Sequence, residues 1–169
     1  LEVELGLPFE KILIDVIGPQ GGGAAYFIMD DELQSRLLQD NYVTVSSDGS
    51  PTAFHPRGHG TFAKIIEEYV VARNLLSLEE AIRKMTSFSA SILGLEDRGS
   101  IEPGKVADLV IFEPENIRAK ATYPAPLQLA QGFDVVMVNG KIAFQAGVTK
   151  TIRAGSVLKP AKVKQTSAE

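Results

Sequence analysis

The chain has 169 residues, of which 44% are hydrophobic and 22% are charged, and it contains no cysteine. This composition is typical of an ordinary globular protein, and the lack of cysteine excludes disulfides, zinc-finger sites and a thiol nucleophile. The longest apolar stretches are far shorter than the ~20 residues of a membrane helix, so we expect no membrane partner. Nothing indicates an oxidising compartment, which favours the cytoplasm.

Charge is distributed unevenly along the chain. Residues 150–169 hold five basic side chains against Glu169, a net charge of +4, so the total of −4 leaves −8 for the remaining residues. An acidic body argues against nucleic acid as a partner, because a phosphate-binding surface needs clustered lysine and arginine. The basic end is interpreted as a solvated terminus, with a contact arm as the alternative.

The apolar pattern of residues 1–95 is that of an α/β protein. Runs with helical spacing begin after proline or capping residues, and short apolar runs between them have the length of buried strands. A strand, a capped helix and a second strand in succession form a βαβ unit, which implies a parallel sheet. The predicted elements are a helix over 9–17, a strand over 24–29, a helix capped by Asp30 and ended by Asn41, a strand over 42–46, a helix capped by Thr61, a helix opened by the capping box from Ser77 to Glu80, and a short helix from Ser87 to Gly94.

After Glu96 the pattern changes to short strands separated by turns. The dipeptide Asn139-Gly140 lies between two apolar runs and favours a type I′ hairpin turn. The remainder of the chain is therefore predicted to form short antiparallel strands, with the boundary to the α/β part near residues 97–99. The predicted strands cover 107–112, 133–138, 141–145 and 157–158.

Asp48 is the first candidate for a functional residue, because it stands just beyond the predicted strand over 42–46. In parallel α/β sheets, functional residues lie at the carboxyl ends of the strands. A carboxylate at that position can bind a metal or accept a proton. The alternative is structural, because Asp-Gly is a common turn dipeptide.

The loop over 47–60 holds both histidines of the chain, His55 and His59. Their spacing of four residues resembles a helical metal-binding pair. Pro56 and the glycines on either side of His59 oppose a helix, so we reject that interpretation. Arg57 is better placed as an anion clamp, because its planar guanidinium fits a carboxylate with two hydrogen bonds. A solvated loop arginine is the alternative.

An ordered series of motifs between residues 8 and 158 resembles the N-acyl-D-amino-acid deacylases of the amidohydrolase superfamily. Its G-x-x-A-D-L-V and V-N-G elements are shared across many amidohydrolases. Its S-D-G, H-P-R and G-T-F elements are more specific to the D-aminoacylase branch. The series comprises S-D-G at 47–49, H-P-R at 55–57, G-T-F at 60–62, L-S-L-E-E-A-I-R-K-M-T at 76–86, L-G-L-E-D-R-G at 93–99, G-K-V-A-D-L-V at 104–110 and V-N-G at 138–140.

The resemblance implies an α/β fold that is the C-terminal part of a TIM (β/α)8 barrel followed by the C-terminal strands of a small β-sandwich. Residues 1–95 would be the C-terminal part of the metal-dependent hydrolase barrel, with 42–46 as its eighth strand. Residues 96–169 would be the β-sandwich portion and the basic tail. The other strands of the sandwich would come from the N-terminus of the whole protein.

The resemblance also implies roles for three residues in the hydrolysis of N-acyl-D-amino acids. Asp48 matches the general base of the family, close to the metal, and is assigned as a catalytic residue and a metal ligand. Arg57 matches the arginine that binds the α-carboxylate of the substrate, and His55, which precedes Pro-Arg, is assigned to substrate binding. The implied cofactor of the full-length enzyme is zinc, whose bound water attacks the amide carbonyl.

The chain departs from the family in its metal ligands. The family uses histidines and a cysteine or a modified lysine from earlier barrel strands, whereas this chain has no cysteine and two histidines. A whole barrel takes about 250 residues, and the chain begins at Leu1 without the features of a signal peptide. One interpretation is that processing has removed an upstream segment. The other, which we expect, is that the chain is a piece of a longer enzyme and that this piece alone is inactive and binds no zinc stably. Its partners would be the missing N-terminal part and a small N-acyl amino acid.

Two alternative functions remain open. The chain could be a non-catalytic remnant that acts by association, or a segment of another amidohydrolase that cleaves a different C–N bond. An incomplete fold leaves unpaired strand edges and uncovered apolar surface, which predicts self-association.

Overall fold

The computed structural model describes residues 1–19, 29–50 and 52–159. The regular elements up to residue 92 are helices, and those after it are short strands and one 3₁₀ turn. The helices are α1 (Glu2–Leu5), α2 (Phe9–Lys11, continued by the π-helical stretch Ile12–Ile17), α3 (Asp31–Gln39), α4 (Arg57–Lys64, continued by the π-helical stretch Ile65–Ala72), α5 (Leu78–Met85) and α6 (Ser87–Ile92). The strands are β1 (Leu109–Phe112), β2 (Phe133–Val138), β3 (Lys141–Gln145) and β4 (Val148–Thr149), with a 3₁₀ turn at Pro114–Asn116. Within these ranges, no helix is both long enough and apolar enough to cross a membrane.

Two helices begin at the capping residues that the sequence predicts. The Asp30 carboxylate accepts the Leu33 N–H at 2.8 Å and caps α3. Ser77 Oγ accepts the Glu80 N–H at 3.2 Å and caps α5. A side-chain oxygen at this position satisfies one of the N–H groups that the first turn of a helix leaves without a partner. These two starts are therefore confirmed.

Helix α4 begins at Arg57, so the predicted start at Thr61 is wrong. Pro56 has helical backbone angles (φ −60°, ψ −23°) and initiates the helix, which is favourable because proline has no N–H to leave unbonded there. Thr61 lies inside the helix, where its hydroxyl donates to the Arg57 carbonyl at 2.8 Å. The predicted loop over 47–60 is therefore shorter, and the glycines beside His59 are helical.

Residues 42–46 form no strand, contrary to the prediction. A strand needs a neighbouring strand for its backbone hydrogen bonds, and in the described part of the chain this segment lies against helix α5 instead. The Val45 N–H lies 3.5 Å from the Lys84 carbonyl oxygen, to which Thr44 Oγ1 donates at 2.6 Å. The other strand of the predicted βαβ unit, over 24–29, falls almost wholly outside the described residues.

The four described strands form one antiparallel sheet in the order β1-β2-β3-β4. Asn139 (φ 48°) and Gly140 (φ 72°) join β2 to β3 with positive φ at both positions, as a type I′ turn requires, which confirms the predicted hairpin. The predicted strand over 157–158 is wrong, because the last strand of the described residues is β4 and residues 150–159 form none. The barrel and the β-sandwich stay predictions.

Two clusters of buried side chains form the core, and helix α4 contributes to both. In the second cluster, Ala63 and Ile66 of α4 pack with Ile117, which follows β1 and is fully buried. The helical and strand regions therefore share a core across the predicted boundary near residues 97–99, and the division into 1–95 and 96–169 stays a prediction. The buried residues of the first cluster are Leu38, Val45, Ile65, Tyr69, Leu76 and Ala81.

Gly132 marks a very close backbone contact in the strand region. Its φ is 91°, and a Cβ there would lie 2.1 Å from the carbonyl oxygen of Asn116. Gly132→Ala is expected to lower the free energy of unfolding by about 2–3 kcal/mol, since it adds backbone strain and a steric clash. Gly147→Ala is the matched control, because its φ is 82° but no atom lies within 4 Å of its Cβ. Urea denaturation measures both losses, and equal losses would contradict the importance of the Asn116 contact.

Glu80 is bound by Arg83, which donates to its two carboxylate oxygens at 2.7 and 2.8 Å. This hydrogen bonding lowers the pKa of Glu80 below its ordinary value, against a smaller opposing effect of burial. A carboxylate with a lowered folded-state pKa stabilises the fold above its unfolded-state pKa, and this contribution disappears as the pH falls through the folded-state value. Glu80→Gln is therefore expected to flatten the acid side of a plot of melting temperature against pH. Exposed Glu79→Gln, the control, should leave that slope unchanged.

Candidate active site

The candidate site begins in the loop that follows Val45, where the chain leaves the core. Asp48 lies in this loop with a φ of 46°, a left-handed conformation that is uncommon for residues other than glycine. Its side chain is 79% exposed. The carboxylate is therefore accessible to a small molecule that approaches from solvent.

Arg57, the first residue of helix α4, holds Asp48 by two contacts. Its Nη2 lies 2.7 Å from Asp48 Oδ2, and its Nε donates to the Asp48 backbone carbonyl at 3.1 Å. The first contact is a charge-assisted hydrogen bond, although the exposure of both side chains limits its net contribution to stability to roughly 0–1 kcal/mol. One guanidinium group therefore orients both the backbone and the carboxylate of Asp48.

Two glycines allow the Asp48 loop and helix α4 to approach each other. A Cβ on Gly49 would lie 3.0 Å from the Cα of Gly58. At that distance the backbone of one or the other segment would have to move. Glycine at position 49 therefore keeps the loop close enough for Asp48 to reach Arg57.

His55 lies directly before helix α4 and contacts residues on both sides of the site. Its Nδ1 accepts the backbone N–H of Arg57 at 3.1 Å. Its ring makes an edge-to-face contact with Tyr123, with the ring centroids 5.1 Å apart and the planes at 79°. Such aromatic pairs prefer this geometry over a face-to-face stack. His55 thereby joins the start of α4 to the segment that carries Tyr123.

A cleft of about 530 Å³ adjoins these residues, between helices α3 and α4 and the segment over 119–124. His55 and Arg57 line it at one end, and Lys64 adds a second cationic side chain. Each of these two cations is paired with a carboxylate just outside the described lining, Arg57 with Asp48 at 2.7 Å and Lys64 with Glu68 at 3.2 Å. The other lining residues are Gln34, Pro56, Gly60, Thr61, Ile65, Tyr69, Ala119, Ala121, Thr122, Tyr123 and Pro124.

Tyr69 forms the buried floor of this cleft. Its side chain is 1% exposed, and its hydroxyl accepts a hydrogen bond from Gln34 Nε2 at 2.5 Å. Burial, followed by the nearby carboxylate of Glu68, raises the pKa of Tyr69 above its ordinary value. Tyr69 therefore stays protonated at neutral pH and presents a polar but uncharged group to the cleft.

The structure brings Asp48 of the S-D-G motif together with His55 and Arg57 of the H-P-R motif, because Arg57 contacts both of the other residues. His59 lies within α4 and His55 lies before it, so the two histidines are not a pair on one helix face. Sequence reasoning missed Tyr123, which carries no motif and stands far along the chain from its partner. It also missed the contact between Asp48 and Arg57, because Asp48 was assigned to the metal and Arg57 to the α-carboxylate of the substrate.

Comparison with known proteins identifies the family. Residues 2–158 match the amidohydrolase family. The chain belongs to this family.

Two solved structures and one curated relative show which amidohydrolases the chain resembles. The N-acyl-D-aspartate deacylase of Alcaligenes xylosoxydans xylosoxydans is 42% identical over 159 residues, which are 93% of this chain and 31% of that enzyme. The crystal structure of a D-aminoacylase superposes with a TM-score of 0.82 at 34% identity, over 93% of this chain and 33% of the other. The N-acyl-D-glutamate deacylase of Bordetella Bronchiseptica gives a TM-score of 0.73 at 36% identity, over 79% and 28%. This amidohydrolase chain thus spans about a third of the length of these relatives.

The described residues of this chain do not form a complete metal site. The Bordetella Bronchiseptica deacylase structure contains zinc and a phosphonate inhibitor that mimics the tetrahedral intermediate. Within residues 1–19, 29–50 and 52–159 of this amidohydrolase, no group of three or more histidine, cysteine, aspartate or glutamate side chains could hold a metal. A catalytic zinc needs three protein ligands, and Asp48 is here paired with a guanidinium group. The described donor set therefore does not fit zinc by itself.

Proposed function

We propose that this chain carries the general base and the carboxylate-binding arginine of an enzyme that hydrolyses N-acyl-D-amino acids. The observation that carries the proposal is the Asp48–Arg57 pair, with 2.7 Å between Oδ2 and Nη2, on an accessible loop at the start of helix α4. The 42% identity to an N-acyl-D-aspartate deacylase supports the substrate class. An aspartate and an arginine so close together can serve two neighbouring parts of one substrate.

Asp48 is the proton-transferring residue of this proposal. Its carboxylate accepts a proton from a water molecule while the water oxygen bonds to the amide carbon. The carbon–nitrogen bond then breaks, and the same proton passes from Asp48 to the leaving nitrogen. The products are a carboxylic acid and a free amino acid. The exposure of the Asp48 side chain supports this role, because water and substrate can both reach it.

Arg57 is proposed to bind the α-carboxylate of the substrate. Its guanidinium already binds a carboxylate, that of Asp48, with the short distance expected for a charge-assisted pair. A substrate carboxylate would replace Asp48 in some of its hydrogen bonds to the guanidinium group, which would leave the Asp48 carboxylate available to the attacking water. His55 and Tyr123 would form the wall beside the bound group, since their rings are in contact.

Zinc is proposed as the cofactor of the whole enzyme, with Asp48 as the ligand that this chain adds to the site. The remaining ligands would come from residues that this chain does not contain, in keeping with the third of its relatives' length that it spans. The chain alone is then expected to hydrolyse no N-acyl amino acid and to retain no zinc after dialysis. Zinc retention with turnover by the 169-residue chain alone would overturn this part of the proposal.

A chimera tests the proposed function. Residues 2–158 of this chain replace the matched stretch of the N-acyl-D-aspartate deacylase from Alcaligenes xylosoxydans xylosoxydans. We expect the chimera to hydrolyse an N-acetyl-D-amino acid. A panel of N-acyl-D-amino acids and cyclic amides separates the proposal from the alternative that another C–N bond is the target, because turnover of the cyclic amides alone would favour the alternative.

Association is the second candidate function, and the exposed edge of the sheet favours it. Strand β1 lies at the edge, with Val110 49% and Ile111 58% exposed. An apolar edge strand of this kind can pair with a second copy of the chain. The test is light scattering over a range of concentrations, together with the variant Ile111→Lys. Dimers of the unsubstituted chain that become monomers in the Ile111→Lys variant would support association. An unsubstituted chain that stays monomeric at high concentration would exclude it.

A further inference from the structure

Lys84 of helix α5 has the most unusual environment of the charged side chains in the described ranges, because it is fully buried. Its Nζ donates to the backbone carbonyl of Asp40 and, at 2.8 Å, to that of Val43. The nearest carboxylate oxygen, Oε1 of Glu80, lies 3.6 Å away. A buried ammonium group is costly unless it is fully hydrogen-bonded and paired. The position of Lys84 therefore needs an explanation other than general stability.

The backbone carbonyl of Lys84 accepts from the same segment to whose carbonyls Nζ donates. It accepts Thr44 Oγ1 at 2.6 Å and Ser89 Oγ at 2.8 Å, and the Val45 N–H lies 3.5 Å from it. The last carbonyls of a helix lack partners within the helix, so these contacts also complete the end of α5. One residue thus binds the segment over 40–45 with its side chain and with its main chain.

The neighbouring charges of α5 reinforce this attachment. Glu80 accepts two hydrogen bonds from Arg83 and lies near Lys84, so one carboxylate balances two cations. Arg83 Nη2 also donates to the Asn41 carbonyl at 3.3 Å. The α5 helix therefore supplies three donor contacts to backbone carbonyls in the segment over 40–45, which lacks a neighbouring strand among the described residues.

This segment leads directly into the loop that carries Asp48. Val45 is anchored in the first core cluster, and Arg57 holds the loop from the other side through the carbonyl and carboxylate of Asp48. The path of the chain between these two anchors determines where the Asp48 carboxylate lies. A change at Lys84 would release the upstream anchor and leave Arg57 as the downstream one.

We propose that Lys84 is a positioning residue, which fixes the segment over 40–45 so that Asp48 meets Arg57. The catalytic consequence rests on the proposed function, whereas the structural consequence does not. Lys84 acts through the backbone of this segment and touches neither Asp48 nor the cleft described above.

The structural test follows the Arg57 Nε–H by NMR in the 169-residue chain, because this group donates to the Asp48 carbonyl. In Lys84→Met, a neutral variant of similar length, we expect its exchange with water to accelerate by about tenfold, well below the melting temperature. Lys105→Met is the matched control, because Lys105 is a partly buried lysine paired with Glu102 in another part of the chain. Exchange within about twofold of the unsubstituted chain, despite a lower melting temperature, would overturn the proposal.

A second variant keeps the proposal testable if Lys84→Met does not fold. Thr44→Val removes the hydroxyl that binds the Lys84 carbonyl and leaves the buried charge in place. We expect the Arg57 Nε–H exchange to accelerate by about threefold in this variant, which corresponds to the loss of one modest hydrogen bond. Unchanged exchange in Thr44→Val would also overturn the proposal.

Kinetics of the chimera separate this inference from the proposed function. We expect Lys84→Met to lower kcat by about tenfold with KM within about twofold, since the base is misplaced while the substrate clamp remains. Lys105→Met should change neither constant. An inactive but folded unsubstituted chimera would refute the proposed function, and the NMR exchange would still decide the role of Lys84. A raised KM with unchanged kcat in Lys84→Met would contradict a positioning role.

Discussion

Asp48→Asn in the chimera is expected to lower kcat for N-acetyl-D-aspartate by about 10²–10⁴-fold, the usual contribution of a positioned general base. Asparagine keeps the size of the side chain and its ability to contact Arg57, but its amide cannot accept a proton from water. KM should change little, because the proposed substrate clamp is Arg57. Steady-state kinetics measure both constants, and matched circular-dichroism spectra establish that the variant is folded.

The control for this substitution is Asp134→Asn, which makes the same chemical change at an exposed position on strand β2. Its kcat should equal that of the unsubstituted chimera. If Asp48→Asn retained normal turnover, Asp48 would be a structural turn residue. That is the alternative that the Asp-Gly dipeptide offers from sequence alone.

Arg57→Met is expected to lower kcat/KM by about 10²–10³-fold for substrates with a free α-carboxylate. The estimate follows from the loss of two charge-assisted hydrogen bonds, each of about 1.5–3 kcal/mol, reduced by the partial exposure of the site. The measurement compares an N-acetyl-D-amino acid with its α-carboxamide in both proteins. The carboxamide should react poorly with the unsubstituted chimera and no worse with the variant.

Arg57→Lys sharpens this comparison, because lysine keeps the charge but cannot form the planar fork. A partial loss in Arg57→Lys and a larger loss in Arg57→Met would support recognition by two hydrogen bonds. Equal losses on the carboxylate and carboxamide substrates would instead assign Arg57 to the support of Asp48, which it contacts through its Nε and Nη2. The substrate pair therefore distinguishes the two functions of one side chain.

Local signals in the sequence predicted those elements that depend on local hydrogen bonds. Asp30 and Ser77 cap helices because their side chains reach N–H groups three residues ahead. Asn139-Gly140 forms its turn because both residues tolerate positive φ. These signals do not depend on what packs against the element, so a single sequence is sufficient to recognise them.

The errors came from elements whose form depends on neighbours distant in the sequence. Residues 42–46 have the composition of a strand, but their backbone partners are Lys84 and its helix. The start of α4 was missed because Pro56 initiates a helix that the glycines around His59 appeared to exclude. Composition describes the preference of a segment, and the partner that it meets decides its structure.

In the candidate site, too, motifs in the sequence predicted some features, and contacts between distant residues determined the others. The resemblance to deacylases selected Asp48, Arg57 and His55, and the structure brings Asp48 and His55 into contact with Arg57 at the start of α4. The approach of Gly49 to Gly58 and the buried Lys84 depend on tertiary contacts that no motif records. The roles of the three residues stay proposals, which the substitutions above test.

Turnover of N-acetyl-D-aspartate by the unsubstituted chimera is the most direct test of the central claim, that this chain supplies a working segment of a deacylase. Fold and zinc content are measured first, so that activity is compared at equal metal loading. The account predicts hydrolysis of the D-substrate at a rate at least about 100-fold above that of the Asp48→Asn chimera. A folded chimera with full zinc content that hydrolyses the substrate no faster than its Asp48→Asn form would contradict the account.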